Sequence, residues 1–192
     1  MRRTPEGTRR AAIVLAALAV VLSLSGCFAE DEPAPTTPPV PTATPVFATE
    51  EEALAAAEEA YANYLRVSDE ILLDGGDRPE RLRDYATADM YELQADGFSE
   101  MKEENLHAVG ETTFDSIRFQ SFQSNSLDEV TGVVVYLCTD YSRIDILNAD
   151  GDSVVLPDRV ERTSDEVTFQ VGNNTLLTAS VDYWSGDNFC EK

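Results

Sequence analysis

Residues 130–139 read VTGVVVYLCT, and this stretch decides the fold. Both of its alternating faces are apolar, and it is rich in β-branched residues, which pack well on a pleated surface. A strand with one face in water alternates apolar and polar residues instead. We therefore predict that this segment is the central strand of a sheet.

Shorter segments after the central strand alternate with the period of 2 that is typical of half-buried strands. The turn sequence NADGD at 148–152 predicts a hairpin that joins Ile144–Leu147 to Val154–Leu156. Two more alternating segments, joined by a predicted turn at 172–174, are Val167–Val171 and Leu177–Tyr183. The connections are short, so the strands are predicted to be antiparallel.

Before the central strand, the apolar period is mostly that of a helix. Thr49 followed by three glutamates is a capping box, which predicts a first helix over Glu50–Leu73 that ends at the DGGD sequence of 74–77. Pro79 opens a short second helix through Tyr85. Thr87 caps a third helix, whose predicted apolar stripe is Met90, Leu93, Gly97, Phe98 and Met101.

Gly110 is predicted to close the helical half, and Ile117 and Phe119 begin the period of 2. Helices followed by antiparallel strands define an α+β domain. We expect the helices to pack on one face of a sheet of about four strands.

The first residues have the features of an export signal. Four arginines stand before an apolar run from Ala11 to Leu22, which at about 1.5 Å per residue is too short to span a bilayer. This is the pattern of a secretory signal. The run ends in Leu24-Ser25-Gly26-Cys27, which resembles the lipobox of bacterial lipoproteins.

The lipobox resemblance implies cleavage before Cys27 and a diacylglyceryl group on its thiol. Residues 1–26 would then be a signal peptide, and the protein would be anchored by lipid to the extracytoplasmic face of the cell membrane. An ordinary signal peptide and an uncleaved anchor are the alternatives. Export through the Sec or the twin-arginine route is left open.

Residues 27–49 are predicted to form a disordered tether, and residues 50–192 the globular domain. Six of the nine prolines lie between 28 and 49. Proline lacks a backbone donor and has a fixed φ, so this segment does not join a helix or a sheet interior. The 143 residues after it are enough to bury a core.

The charge of the chain excludes one large class of partner. With 36 acidic and 14 basic residues the net charge is −22. Removal of residues 1–26 takes away four arginines and one glutamate, which brings the net charge to −25. Phosphate backbones repel such a chain, so nucleic acid is not expected as a partner.

Cys138 and Cys190 are expected to form a structural disulfide, because an even pair of cysteines in an exported domain usually bridges. A redox-active pair is the alternative. It lacks support, since there is no Cys-x-x-Cys spacing and no cationic residue directly adjoins either cysteine to lower a thiol pKa.

The sequence predicts neither a metal site nor a cofactor. One histidine and three cysteines exclude multi-histidine and four-cysteine zinc sites. The aspartates around Gly151 fit the calcium-loop pattern in neither register, so turn chemistry explains them better. The chain contains no P-loop, Rossmann glycine fingerprint or nucleophile elbow.

The order of a long helix, a short helix, a third helix and a meander of strands resembles the nuclear transport factor 2-like (cystatin-like) roll. The resemblance covers residues 50–192. This segment is similar in particular to the small secreted domains of actinobacterial lipoproteins. The features that carry it are Asp74-Gly75-Gly76, the strand Val133–Cys138, and Trp184-Ser185-Gly186-Asp187. It implies a curved sheet that forms a cone with a pocket, but it supplies no catalytic motif.

Three residues are candidates for lining such a pocket: Tyr61, His107 and Trp184. His107 is either a cation near a helix C-terminus or a general base at a pocket mouth, paired with Asp182 or Tyr61. Tyr61 and Trp184 are either core residues or a shelf for a ligand.

Two functions from different classes follow. The first is a non-catalytic binding or structural domain of the cell envelope, whose partner is an envelope protein or a small molecule. The second is an enzyme similar to the isomerases and cyclases of the family. It requires two ionisable groups that converge in a partly apolar cavity.

Overall fold

The computed structural model describes residues 46–127, 129–172, 175–186 and 189–190. The predicted signal peptide at 1–26, the predicted lipidation site Cys27 and most of the predicted tether lie outside the described residues. So do Asn173 and Asn174 of the predicted turn.

The described elements confirm an α+β fold. The helices come first: α1 (Glu50–Leu73), a short 3-10 helix (Pro79–Asp84) and α2 (Ala88–Glu103). The strands are β1 (His107–Gly110), β2 (Thr113–Ser124), β3 (Val130–Asp140), β4 (Ile144–Leu147), β5 (Arg162–Gly172) and β6 (Thr175–Tyr183). No helix in this part of the chain combines the length and the apolar character needed to cross a bilayer.

Local chemistry sets the ends of α1. The Thr49 hydroxyl accepts a hydrogen bond from the Glu52 backbone N–H at 3.1 Å, and the Glu52 carboxylate accepts one from the Ala48 N–H at 2.8 Å. At the other end, Gly75 and Gly76 have φ of 65° and 81°, which favours glycine. A Cβ on Gly76 would lie 2.0 Å from the Phe98 carbonyl oxygen, so this glycine also lets α1 approach α2.

The predicted stripe of α2 is partly wrong. Met90, Phe98 and Met101 are buried, but Leu93 is 70% exposed and Gly97 is exposed as well. The helix lies beside α1, the 3-10 helix and β6 and buries only a narrow strip of its surface. Leu93 is therefore left on its solvent side.

The main sheet has four antiparallel strands in the order β2-β3-β5-β6. As predicted, residues 130–139 lie inside it, paired on one side with β2 and on the other with β5. The sheet face that packs on the helices carries the fully buried side chains Val133, Val135, Leu137, Val167 and Phe169. The main core therefore lies between α1 and this face.

The two edge strands of the main sheet are irregular or covered. β2 contains three register shifts, and Ser116 within it has a φ of 57°. On β6, Thr178 exchanges backbone hydrogen bonds with the segment before α2: its N–H donates to Tyr85 at 3.0 Å, and its carbonyl accepts from Thr87 at 2.9 Å.

The predicted hairpin from β4 to Val154–Leu156 is wrong in its second strand. The turn forms, with the Asn148 side chain accepting from the N–H groups of Asp150 and Asp152. The chain then makes one isolated bridge, Leu147 to Ser153, and residues 154–156 form no strand. Leu156 is 70% exposed.

β4 instead pairs with β1, in a separate two-stranded antiparallel sheet. The prediction that the helical half extends to Gly110 is therefore also wrong. Four residues are too few to display a strand period, so β1 carried no signal of its own.

Candidate functional site

Tyr61 is a core residue of α1 and is 1% exposed. Its hydroxyl lies 3.2 Å from the Thr139 hydroxyl, and its ring meets the Phe114 ring edge-on at 5.0 Å between centroids. Burial raises its pKa well above the ordinary value. Phe114 thus separates Tyr61 from the groove described below.

Trp184 and Asp182 belong to the other side of the main sheet. The Trp184 ring lies 4.8 Å from the Tyr136 ring, and Tyr136 faces away from the core because its neighbours in β3, Val135 and Leu137, face into it. Asp182 is exposed and pairs in register with Glu166. Tyr61 and Trp184 are therefore on opposite faces of the sheet.

His107 starts β1, where it lies opposite Leu147 and is half-buried. It is not a helix cap, because the helix before it ends at Glu103. The structure thus places Tyr61, His107 and Trp184 in three different environments, and none of them lines the three grooves described below.

Cys138 and Cys190 form the disulfide that the sequence predicts, with Cα atoms 5.6 Å apart. The half-cystines are 0% and 3% exposed. Phe189, next to Cys190, lies between the Trp184 ring and the Arg118 guanidinium, which is 4.5 Å from its ring centroid. The bond thus holds the segment after β6 to the central strand β3.

A buried polar chain crosses the interface between α1 and the sheet. From Tyr61 it continues through the Thr139 hydroxyl, which donates to the Asp165 carboxylate at 2.5 Å. The Thr163 hydroxyl donates to the same oxygen at 3.0 Å. Burial raises the pKa of Asp165, which is 4% exposed, while both hydroxyls oppose the rise.

Tyr141 links this chain to a second carboxylate. Its hydroxyl interacts with Thr139 and Thr163, and its pKa is raised by burial and by the charges of Asp165 and Asp69. Asp69, in the second half of α1, is 8% exposed. Asp69 and Asp165 are the buried charged residues of the described chain.

Asp69 forms part of a groove of about 420 Å³ between α1 and the start of β2, which we call the α1–β2 groove. Its lining residues are Ala62, Leu65, Arg66, Asp69, Glu70, Leu73, Gly110, Glu111, Thr112, Thr113 and Phe114. Leucine, alanine and phenylalanine side chains supply apolar wall, and polar groups stand at the rim and at Asp69. Its volume is within the range of roughly 300–1,000 Å³ that is usual for ligand pockets.

Thr112 fixes the orientation of the Asp69 carboxylate. The Thr112 backbone N–H donates to one carboxylate oxygen at 2.7 Å, and the Thr112 hydroxyl donates to the other at 3.0 Å. Burial raises the pKa of Asp69, the two hydrogen bonds lower it, and the Glu111 charge raises it further. Thr112 thus holds the Asp69 carboxyl in place, and the net result is a pKa above its ordinary value.

The rim charges of the groove are already paired. Arg66 lies 2.7 Å from Glu70, and Arg143 lies 2.8 Å from Glu111. No Lys, Arg or His nitrogen of the described chain lies within 4.0 Å of the Asp69 carboxylate. Asp69 therefore lacks a balancing cation within the part of the domain that is described.

Two further grooves lack this feature. One, of about 230 Å³, lies between α1, Tyr85 and the start of β6. The other, of about 460 Å³, lies between β4 and residues 153–161. Neither is lined by a buried charged residue. Within the described ranges no group of three or more His, Cys, Asp or Glu residues could hold a metal ion.

Asp69 and Asp165 are functional candidates that the sequence patterns do not single out. Asp69 follows Tyr61 by eight positions and Leu65 by four, so helical spacing alone could have placed it beside the buried stripe of α1. Its hydrogen bonds come from Thr112, 43 positions away. A local sequence pattern does not predict a contact between residues so far apart in the chain.

No known protein family matches the sequence, and no curated protein is similar to it. Four chains of solved structure are similar. The intermembrane space region of the chloroplast protein ARC6 is 15% identical with a TM-score of 0.47, over 68% of this chain and 97% of that chain. A protein from Catenulispora acidiphila is 17% identical with a TM-score of 0.45, over 68% and 88%. A de novo designed β-sheet protein is 13% identical with a TM-score of 0.33, over 70% and 93%.

Proposed function

We propose that this chain is an extracytoplasmic lipoprotein whose domain, residues 50–192, is a non-catalytic binding domain that receives a ligand in the α1–β2 groove. The observation that carries the binding function is Asp69, a buried carboxylate in a groove with apolar walls, for which the described residues supply no balancing cation. A few polar groups at set positions in an apolar groove are typical of ligand sites.

Two features support the extracytoplasmic location. The sequence before Cys27 resembles a signal peptide that ends in a lipobox. The domain contains a disulfide buried between β3 and the segment after β6. Structural disulfides persist in oxidising compartments and are rare in the cytosol.

We expect the Cys27→Ala variant to be released from membranes into the soluble fraction. Without the thiol there is no attachment point for the acyl chains, each of which contributes about 0.8 kcal/mol per buried methylene. Membrane fractionation with immunoblotting measures this, and globomycin treatment of the wild type should block its processing. Gly26→Ala, which keeps a small residue before the cysteine, is the matched control and should stay with the membrane. Continued sedimentation of Cys27→Ala with membranes would refute the lipid anchor.

We expect Ala62→Trp to abolish ligand binding without unfolding the domain, because Ala62 is an exposed residue of the groove wall and tryptophan would fill the groove. A thermal-shift screen of small amphipathic molecules measures the loss on protein purified from exporting cells. Ala55→Trp, on an exposed position of the same helix outside the groove, is the matched control. Compounds that stabilise the wild type and both variants equally would contradict binding in this groove.

A second candidate function is an isomerase- or cyclase-like enzyme. The observation that favours it is that Asp69 is buried and lines a groove with apolar walls, an environment that raises its pKa and suits a general base. Tyr61 and Asp165 do not assist, since both are buried and neither lines the groove. A ligand that binds in the groove and is recovered unchanged after prolonged incubation would contradict this candidate.

A further inference from the structure

The Asp69 carboxylate has unused hydrogen-bonding capacity on the groove side. A carboxylate offers about four acceptor positions, and the structure shows two in use, one on each oxygen, both by Thr112. The side chain is 8% exposed and lines the α1–β2 groove. A donor that reaches Asp69 from outside the fold therefore arrives through this groove.

The charge at this position selects the sign of the donor. A buried carboxylate without a cation is destabilised by lost hydration, and a hydrogen-bonded positive charge compensates for it. The neighbouring guanidiniums, Arg66 and Arg143, are engaged by Glu70 and Glu111. Because each of those two acids is balanced by its arginine, the unbalanced charge among these five groups is that of Asp69, and it attracts cations and repels carboxylates and phosphates.

The apolar walls of the α1–β2 groove favour a ligand that also carries a hydrocarbon part. Leu65 and Phe114 are half-buried along the groove, and Leu73 at its end is 46% exposed. These surfaces gain from contact with a hydrocarbon chain, by roughly 25 cal/mol per Å² removed from water. A hard divalent cation fits poorly, because it requires six or more oxygen ligands and the groove floor supplies one carboxylate.

We propose that the α1–β2 groove binds an aliphatic primary ammonium, with its charged head on Asp69 and its hydrocarbon chain against Leu65, Leu73 and Phe114. This inference rests on the proposed function and names the chemical class of its ligand. A free alkylamine and a lysine side chain of a short peptide share this chemistry.

The test is isothermal titration of the full chain, in the form that exporting cells produce, with hexylamine, hexanol, hexanoate and calcium chloride. Hexylamine should bind at least tenfold more tightly than hexanol, and hexanoate and calcium should bind more weakly still. Asp69→Asn should remove the tenfold preference and leave hexanol unchanged. Asp96→Asn, at an exposed position of α2, is the matched control and should behave as the wild type. Acetyl-Ala-Lys-Ala-amide in place of hexylamine shows whether a free amine or a peptide is preferred.

A second variant keeps the test independent of any folding defect in Asp69→Asn. Leu73 and Asp69 are four positions apart on α1, so Leu73→Lys places an ammonium from the chain itself beside the carboxylate. We expect Leu73→Lys to abolish hexylamine binding and Leu73→Met to retain it.

The outcomes separate this inference from the function it rests on. Equal affinities for hexylamine and hexanol, both lost in Ala62→Trp, would overturn the ammonium inference and leave a binding groove in place. Hexylamine binding that survives Ala62→Trp would overturn the groove as the ligand site. Tight calcium or hexanoate binding that needs Asp69 would overturn the ammonium inference.

Discussion

We expect simultaneous replacement of Cys138 and Cys190 by alanine to lower the free energy of unfolding by about 4 kcal/mol, on the chain-entropy model for a closed loop of this length. The bond joins residues 52 positions apart, so its loss releases a long loop in the unfolded chain. In the folded chain it holds the segment that carries Trp184 and Phe189 on the outer face of the sheet.

Urea unfolding measures this difference, and peptide mapping without reductant should recover Cys138 linked to Cys190. Reduction of the wild type in denaturant should lower its stability by a similar amount, whereas the double variant should be insensitive to reductant. A loss below about 1 kcal/mol would mean that the bond contributes far less than chain entropy predicts.

The second large effect is expected at Thr139, where valine should lower stability by about 2–3 kcal/mol. Thr139 is 0% exposed, and its hydroxyl bonds both Asp165 and Tyr61. Valine keeps the shape of the side chain but removes one hydrogen-bond partner from the Tyr61 hydroxyl and one from the Asp165 carboxylate. A buried polar group that loses a partner costs about 1–3 kcal/mol. Urea unfolding at pH 7 measures the loss.

Thr178→Val is the matched control, and it should raise stability by about 1 kcal/mol. Thr178 is also 0% exposed and lies in the same sheet, but its hydroxyl has no hydrogen-bond partner in the described structure. Valine there removes a buried polar atom without breaking a contact. Stability changes of the same sign at Thr139 and Thr178 would contradict the hydrogen-bond explanation.

The Thr139→Val deficit should also depend on pH. The pKa of Asp165 is raised by burial and lowered by the Thr139 hydroxyl, so loss of that hydroxyl raises the pKa further. A raised pKa in the folded state means that stability present below the unfolded pKa is lost as pH rises through the folded pKa. The deficit should therefore be smaller near pH 4 than at pH 7.

Those parts of the fold that depend on local chemistry were predictable from sequence. Thr49 and Thr87 cap their helices with their own hydroxyls, and Gly75 and Gly76 end α1 through their positive φ. The mainly apolar character of both faces of residues 130–139 identified the inner strand of the sheet, because most of that strand is buried on both faces.

What sequence could not supply are the contacts between distant segments. β1 has four residues and becomes a strand only because β4 lies beside it. Helical spacing places Asp69 beside the buried stripe of α1, but its donor Thr112 is 43 positions away, and the Thr139 hydroxyl that donates to Asp165 is 26 positions away. The candidate site is made of such pairings, whereas residue type and position along the chain, which pointed to Tyr61, His107 and Trp184, carry no information on contacts between distant segments.

The two margins of the main sheet determine how the molecule behaves when many copies are crowded together. Open strand edges invite pairing between molecules, which is how sheets grow into fibres. Here the irregular backbone of β2 presents no regular strand edge for pairing. On β6, the backbone groups of Thr178 are already hydrogen-bonded to Tyr85 and Thr87. Copies of this domain at high local density should therefore remain separate and resist aggregation.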